Sequence, residues 1–153
     1  MKNEELQELI GSWSPNLTFA VEGSQYLNVS VPIDELHDIM FKLKHNDQTN
    51  LDYLFCLSGV DWGEELGVVY HLESTNFRHS LVVKTQTAER ENPVIDSVYD
   101  IWATAEFHER EVFDFFGIEF TNHPNLKRLF LTDDWDGFPL RKDYEDNINM
   151  IIK

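Results

Sequence analysis

The spacing of apolar positions divides the chain into short elements. Over residues 3–13, Leu6, Leu9, Ile10 and Trp13 recur at helical spacing, and Pro15 follows as a stop. Two alternating runs come next, with Leu17, Phe19 and Val21 facing one way in the first and Leu27, Val29 and Val31 in the second. Gly23 and Ser24 between them predict a tight hairpin. Pro32 opens a second predicted helix that reaches about His45, with Leu36, Ile39, Met40 and Leu43 as its buried stripe. Asp34 and Glu35 near its start and Lys42, Lys44 and His45 near its end complement the helix dipole. Asn46 is placed for a left-handed stop.

Tyr53 to Leu57 is a continuous apolar run, which predicts a central strand buried on both faces. Asp61 to Glu65 turns the chain and Gly67 to Leu72 returns as a strand. After Glu73 to Arg78 a third strand sets Leu81 and Val83 on one face, Ser80 and Lys84 on the other. The charged loop Ala88 to Pro93 closes the sheet region. Two helices are expected next. The first has Val94, Ile95, Val98, Ile101 and Trp102 as its stripe; the second is capped by Thr104 and stops at Gly117 after Phe116. From Ile118 onward come turns, a short helix begun by Pro124 and an extended tail. The order helix, two strands, helix, three strands, two helices predicts an α+β fold. It is a two-layer sandwich with a mixed sheet of about five strands. The α+β region spans residues 1–117, and residues 118–153 form a C-terminal docking segment within the same structural domain.

At 153 residues and 42% hydrophobic content the chain suits one domain with a real core. It has no apolar run near the roughly 20 residues of a membrane span. Met1-Lys2-Asn3-Glu4-Glu5 lacks the apolar segment of a secretory signal, so a cytoplasmic location is expected. Cys56 alone can form neither an internal disulfide nor a four-thiolate iron–sulfur site. The formal charge of −16 repels phosphate backbones and anionic lipid headgroups, which argues against nucleic-acid binding and for a less acidic docking partner.

A search for catalytic chemistry finds no constellation. His108-Glu109-x-x-Val112 begins like a zinc-protease helix, but Val112 stands where the second imidazole is needed. His108 falls on the apolar line of Ala105, Val112 and Phe115, as a core or interface histidine would. Thr132 to Gly137 resembles half a calcium loop, yet Thr132 and Asp143 fall where an acid and a bidentate Glu are required. No glycine-rich phosphate loop occurs, and Ser58-Gly59 lacks the spacing of a nucleophile elbow. Glu106, Arg110 and Asp114 fall at i, i+4 and i+8. That ladder is either a solvated face worth a few tenths of a kcal/mol per pair, or an arginine buried beneath the C-terminal segment.

The densest signal lies between Glu109 and Tyr144. Three of the five arginines fall there among aromatics: Glu109-Arg110-Glu111-Val112-Phe113-Asp114-Phe115-Phe116-Gly117, Asn122-His123-Pro124-Asn125-Leu126-Lys127-Arg128, and Asp134-Trp135-Asp136-Gly137-Phe138-Pro139-Leu140-Arg141-Lys142-Asp143-Tyr144. Arginine forks, aromatics and proline-stiffened backbone typify protein interfaces. This block resembles the C-subunit (thirty-kilodalton subunit) of respiratory complex I, the NADH:quinone oxidoreductase. Weaker similarity runs through Leu57 to Trp62 and Val68 to Leu72, so the resemblance covers about two thirds of the chain. Phe107 stands where many members have Trp.

The resemblance implies a non-catalytic subunit of the hydrophilic arm, peripheral on the cytoplasmic side of the cell inner membrane. It implies no cofactor in this chain, FMN and iron–sulfur clusters being carried by partner subunits. The implied partners are the D-subunit (49-kilodalton type), which helps form the quinone pocket, and neighbouring iron–sulfur subunits. The motif positions carried over as partner-binding are Glu109, Arg110, Glu111, Asp114, His123, Pro124, Arg128, Trp135, Pro139, Leu140, Arg141, Asp143 and Tyr144. On this reading Arg110 orders the C-terminal segment, Arg128 and Arg141 meet partner carboxylates, and Trp135 and Tyr144 anchor in partner pockets. The alternatives are the equivalent subunit of a membrane-bound hydrogenase or plastid-type dehydrogenase, a stand-alone acidic metal-dependent hydrolase, and a free-standing binding protein.

Overall fold

The computed structural model describes residues 2–20, 26–128, 131 and 137–141. The fold is α+β, with a mixed five-stranded sheet and three α-helices. In chain order the elements are α1 (Asn3–Gly11), β1 (Thr18–Ala20), β2 (Leu27–Ser30), α2 (Leu36–His45), β3 (Tyr53–Asp61) and β4 (Leu66–Glu73). They continue with β5 (Ser80–Thr87), β6 (Val94–Asp96), α3 (Ala105–Phe116) and β7 (Glu119–Thr121). The main sheet runs β1-β2-β5-β4-β3, with β2 and β5 parallel and the other pairs antiparallel. A two-stranded parallel sheet joins β6 to β7.

Alternation sets the core. Leu27 and Val29 of β2 lie beside Leu81 and Val83 of β5, and β4 adds Val68, Tyr70 and Leu72 to the same face. These residues form one buried cluster with Leu6 and Ile10 of α1, with Leu36, Ile39, Met40 and Leu43 of α2, and with Ala105 and Val112 of α3. α3 lies over β3, where Gly59 lets the Phe116 ring approach; a Cβ at that position would sit 2.5 Å from the ring.

Several expectations are corrected. β3 is an edge strand, not a central one, and Tyr53 and Phe55 of its apolar run point to solvent. A register shift between Leu54 and Cys56 interrupts the alternation that an exposed face would otherwise display. Asn46 ends α2 in extended conformation (φ −69°, ψ 132°). Its side chain accepts hydrogen bonds from the Gln48 and Thr49 amides, and the positive φ falls at Asn50 instead. The Gly23-Ser24 turn lies outside the described residues, although β1 and β2 pair as the hairpin requires.

The helix expected from Val94 to Trp102 is not formed. Val94 to Asp96 pairs with β7 as strand, and Ser97 to Thr104 is a run of turns. Pro93 and the β-branched pair Val94-Ile95 favour that outcome once a partner strand exists. The Thr104 hydroxyl donates to the Leu54 carbonyl rather than capping α3. Pro124 begins a turn, not a helix: His123 Nδ1 accepts from the Asn125 amide, and the Lys127 and Arg128 carbonyls are taken by a side chain of α3.

Gly117 ends α3 as expected, at φ +76° with its amide donating to the Phe113 carbonyl. Here a glycine is needed twice over, because a Cβ would also lie 2.6 Å from the Phe138 ring. Gly63 has φ +96° but nothing within 4 Å, so it isolates the backbone term. Gly117→Ala is therefore expected to destabilise the chain by at least about 1 kcal/mol more than Gly63→Ala in urea unfolding. Equal losses would show that Phe138 does not pack on Gly117.

Candidate docking interface

The last turn of a helix leaves four carbonyls without intrahelical partners and carries the negative end of the helix dipole. In α3 these belong to Phe113, Asp114, Phe115 and Phe116, and each has found a donor. The Gly117 amide serves Phe113 at 2.9 Å, and the Leu140 amide serves Phe115 at 3.0 Å. Arg128 Nη1 serves Asp114 at 3.0 Å, and Arg141 Nε serves Phe116 at 2.5 Å. Three of the four donors come from the C-terminal segment, two of them cations placed where the dipole favours them. The segment closes the helix like a clasp.

Side chains of α3 hold the clasp from the other side. Asp114 is fully buried; Oδ1 accepts from Arg128 Nη1 at 3.2 Å and Oδ2 from the Leu131 amide at 3.0 Å. Arg110 donates from Nε and Nη2 to the Lys127 and Arg128 carbonyls, both at 3.3 Å, and lies 5.8 Å from the Phe107 ring centroid. Of the two readings of the charge ladder, the buried arginine is the one observed. Phe138 is the hub, its ring packing on Gly117 with Arg128 4.9 Å and Arg141 5.2 Å from its centroid. Arg128 Nη2 also donates to the Gly137 carbonyl at 3.0 Å.

Glu109, on the inner side of α3, has no solvent exposure. Its carboxylate accepts from the Ser97 hydroxyl at 2.5 Å and the Val98 amide at 2.9 Å, which fastens the turn after β6 to the helix. Burial pushes its pKa up to about 7, opposed by those two hydrogen bonds; the Asp100 charge adds to the rise. Tyr70, fully buried on β4, is also pushed well above its usual value, by burial and then by the charges of Glu109 and Asp96. His123 Nε2 lies 3.9 Å from Glu109, too far for a hydrogen bond. Its Nε2 donates to the Glu106 carbonyl at 2.9 Å and its Nδ1 accepts from the Asn125 amide at 3.0 Å, which orients the ring.

The structure thus gathers Glu109, Arg110, Asp114, His123, Arg128 and Arg141 at the seam between α3 and the segment. Glu109 and Asp114 are enclosed by their own chain, Arg128 donates to the Asp114 and Gly137 carbonyls and the Asp114 carboxylate, and Arg141 Nε donates to the Phe116 carbonyl. Glu111, Pro124 and Leu140 are exposed and Pro139 is half-buried. Trp135, Asp143 and Tyr144 lie outside the described residues. Three participants were missed. Phe138 was one aromatic among many; Ser97 and Tyr70 carry no local signal, since only the tertiary fold brings them to Glu109. Among the described residues no three His, Cys, Asp or Glu side chains converge as a metal site, and no helix is long and apolar enough to cross a membrane.

The raised pKa of Glu109 makes a signed prediction. Folding favours its protonated form, so its contribution is full below its ordinary pKa of 4.5 and is lost as pH rises through about 7. Glu109→Gln keeps the shape without the charge. Between about pH 5 and about pH 8 the wild-type chain should lose on the order of 3 kcal/mol of unfolding free energy relative to this variant. Parallel pH profiles would show that Glu109 is not buried as described.

The profile of the family described as "Respiratory-chain NADH dehydrogenase, 30 Kd subunit" matches residues 29–148. The C/D-type subunit of the NADH-quinone oxidoreductase of Phocaeicola vulgatus is 54% identical over 122 residues, covering 79% of this chain and 23% of that protein. The C-type subunit of the Chloroherpeton thalassium enzyme is 45% identical over 115 residues, covering 74% of this chain and 48% of its own length. For the C-type subunit of Chlorobium phaeobacteroides the figures are 43% over 115 residues, 73% and 69%. The matched region is thus under a quarter of the C/D relative and about half of the Chloroherpeton one. Among solved structures, a chain of the membrane-bound sulfane sulfur reductase, an archaeal respiratory membrane complex, superposes with a TM-score of 0.81 at 28% identity, covering 98% of this chain and 89% of that one. The chain belongs to the family of the respiratory-chain NADH dehydrogenase thirty-kilodalton subunit.

Proposed function

We propose that the chain is the C-type subunit of a proton-translocating NADH:quinone oxidoreductase, non-catalytic by itself and docked on the D-type subunit. In this reading it holds no cofactor, and the FMN and iron–sulfur clusters that carry electrons from NADH belong to its partners. It sits peripherally on the cytoplasmic side of the cell membrane as part of the hydrophilic arm. The observation that carries the reading is the 54% identity to a relative whose name joins C and D. A relative named for C and D together supports D as the neighbouring subunit in this reading.

The clasp supports a docking role in physical terms. Those described residues of the segment that hydrogen bonds already close on α3 have little ordering entropy left to lose when a partner arrives. In this reading Arg128 and Arg141 preorganise the contact, and exposed residues of the same region make it. A second reading keeps the architecture and changes the donor: the structural match to a sulfane sulfur reductase complex favours a related respiratory assembly.

Affinity purification of the tagged full chain from native membranes tests the reading. It should recover D-type, flavin and iron–sulfur subunits together with NADH:quinone activity; recovery of the chain alone would contradict it. Arg141→Glu sets an anion against the negative end of α3. It should leave the isolated chain folded by circular dichroism while reducing recovery of partner subunits at least tenfold, a loss of about 1.4 kcal/mol. Arg141→Lys should retain most of it. Unchanged recovery with Arg141→Glu would remove the clasp from the docking account.

A further inference from the structure

The main sheet has two unlike edges. β1 is three residues long, and a strand that short offers little backbone to a neighbour. β3, at the other edge, is nine residues long and pairs with β4 along its inner side. Its first part is blunted: the register shifts between Leu54 and Cys56, and the Thr104 hydroxyl donates to the Leu54 carbonyl. Over residues 56–60 neither device recurs. Among the described residues, only β4 reaches the main chain of that stretch with hydrogen-bonding groups. A hollow of about 210 Å³ opens beside it, lined by Ser58 and Gly59 together with residues of α3 and Leu140. Exposed edges are ordinarily protected by charge or proline, and Cys56-Leu57-Ser58-Gly59-Val60 contains neither. The N–H and C=O groups that it turns away from β4 are complementary to the main chain of another strand.

We infer that residues 56–60 of β3 receive an extended, basic segment of a partner subunit, which joins the five-stranded sheet as a further strand. This assignment rests on the subunit reading above and deepens it by naming where a partner enters and in what conformation. The edge itself selects an extended occupant, because the main-chain groups of a helix are already bonded to one another and a lipid surface has no such row to offer. Charge selects its chemistry. A second copy pairing through the same edge would bring two chains of −16 together. A partner segment with lysine or arginine gains instead from Glu111, the exposed acid of α3 that lines the hollow beside Ser58 and Gly59. Side chains of the added strand would alternate between two surroundings. On the α3 side Leu57 is buried and Gly59 faces the Phe116 ring; on the other side Ser58 is exposed.

Amide hydrogen exchange of the unaltered full chain, isolated and assembled in native membranes, tests this pairing. Separately, p-benzoyl-phenylalanine replaces Ser58 in the assembled chain. Within residues 56–60 the amides facing β4 are protected in both states, so assembly should slow every second amide, by at least about tenfold. The photo-adduct from position 58 should fall on one partner subunit, in a peptide containing Lys or Arg. Exchange in the assembled chain as fast as in the isolated one overturns the inference, and so do outward amides already protected in the isolated chain. An adduct on a second copy, on residues 142–153 of the chain itself, or on no partner overturns it too. If the photoprobe prevents assembly, the exchange comparison decides alone. Failure of the unaltered chain to be retained by a complex would overturn the subunit reading, and the inference with it; retention with unprotected edge amides overturns the inference only.

Discussion

The C-terminal end of α3 is the constraint on which the rest depends. Four carbonyls and the negative end of a helix dipole cannot be left buried without donors. One is satisfied by Gly117, in the left-handed conformation that glycine adopts without strain. The others draw Arg128, Leu140 and Arg141 back from as far as 25 positions along the chain. This long-range capping, more than any apolar stripe, places Arg128 and residues 137–141 against the helix end.

The arrangement carries risk as well as stability. Asp114 is fully buried and is tolerable because Arg128 and the Leu131 amide meet both of its oxygens. Removing one member of such a buried pair strands the other, typically at about 3–5 kcal/mol. Glu109 is the complementary case. Among the described residues no cation offsets its burial at hydrogen-bond distance, so its carboxyl titrates near neutrality and holds the turn after β6 through a hydroxyl and an amide. Two inward acids on one helix are thus held differently, Asp114 by an arginine and an amide and Glu109 by a hydroxyl and an amide.

Local pattern was sufficient for much of this fold. The stripes of α1 and α2, the alternation in β2 and β5, and the stop at Gly117 all follow from spacing and turn chemistry. The α+β class followed with them. What spacing could not reveal depends on distant partners. Val94 to Trp102 has helical periodicity, but its first three residues become strand because β7 lies beside them. Tyr53 to Leu57 looks central but lies at an edge, since the run says nothing about which strands flank it. The candidate interface divides the same way. The concentration of arginines and aromatics after Glu109 marks the region where the clasp forms, yet the direction each guanidinium faces depends on carbonyls that only the folded helix presents. Among the described residues the motif positions therefore include an inner set that builds the clasp and an exposed set, Glu111, Pro124 and Leu140.

Amide hydrogen exchange on the full chain tests the capping of α3 most directly. The Leu131 and Leu140 amides, bonded to Asp114 and to the Phe115 carbonyl, should be protected to the same degree as the Gly117 amide at the helix end. Exchange of those two at the rate of an open chain, with Gly117 still protected, would contradict the account.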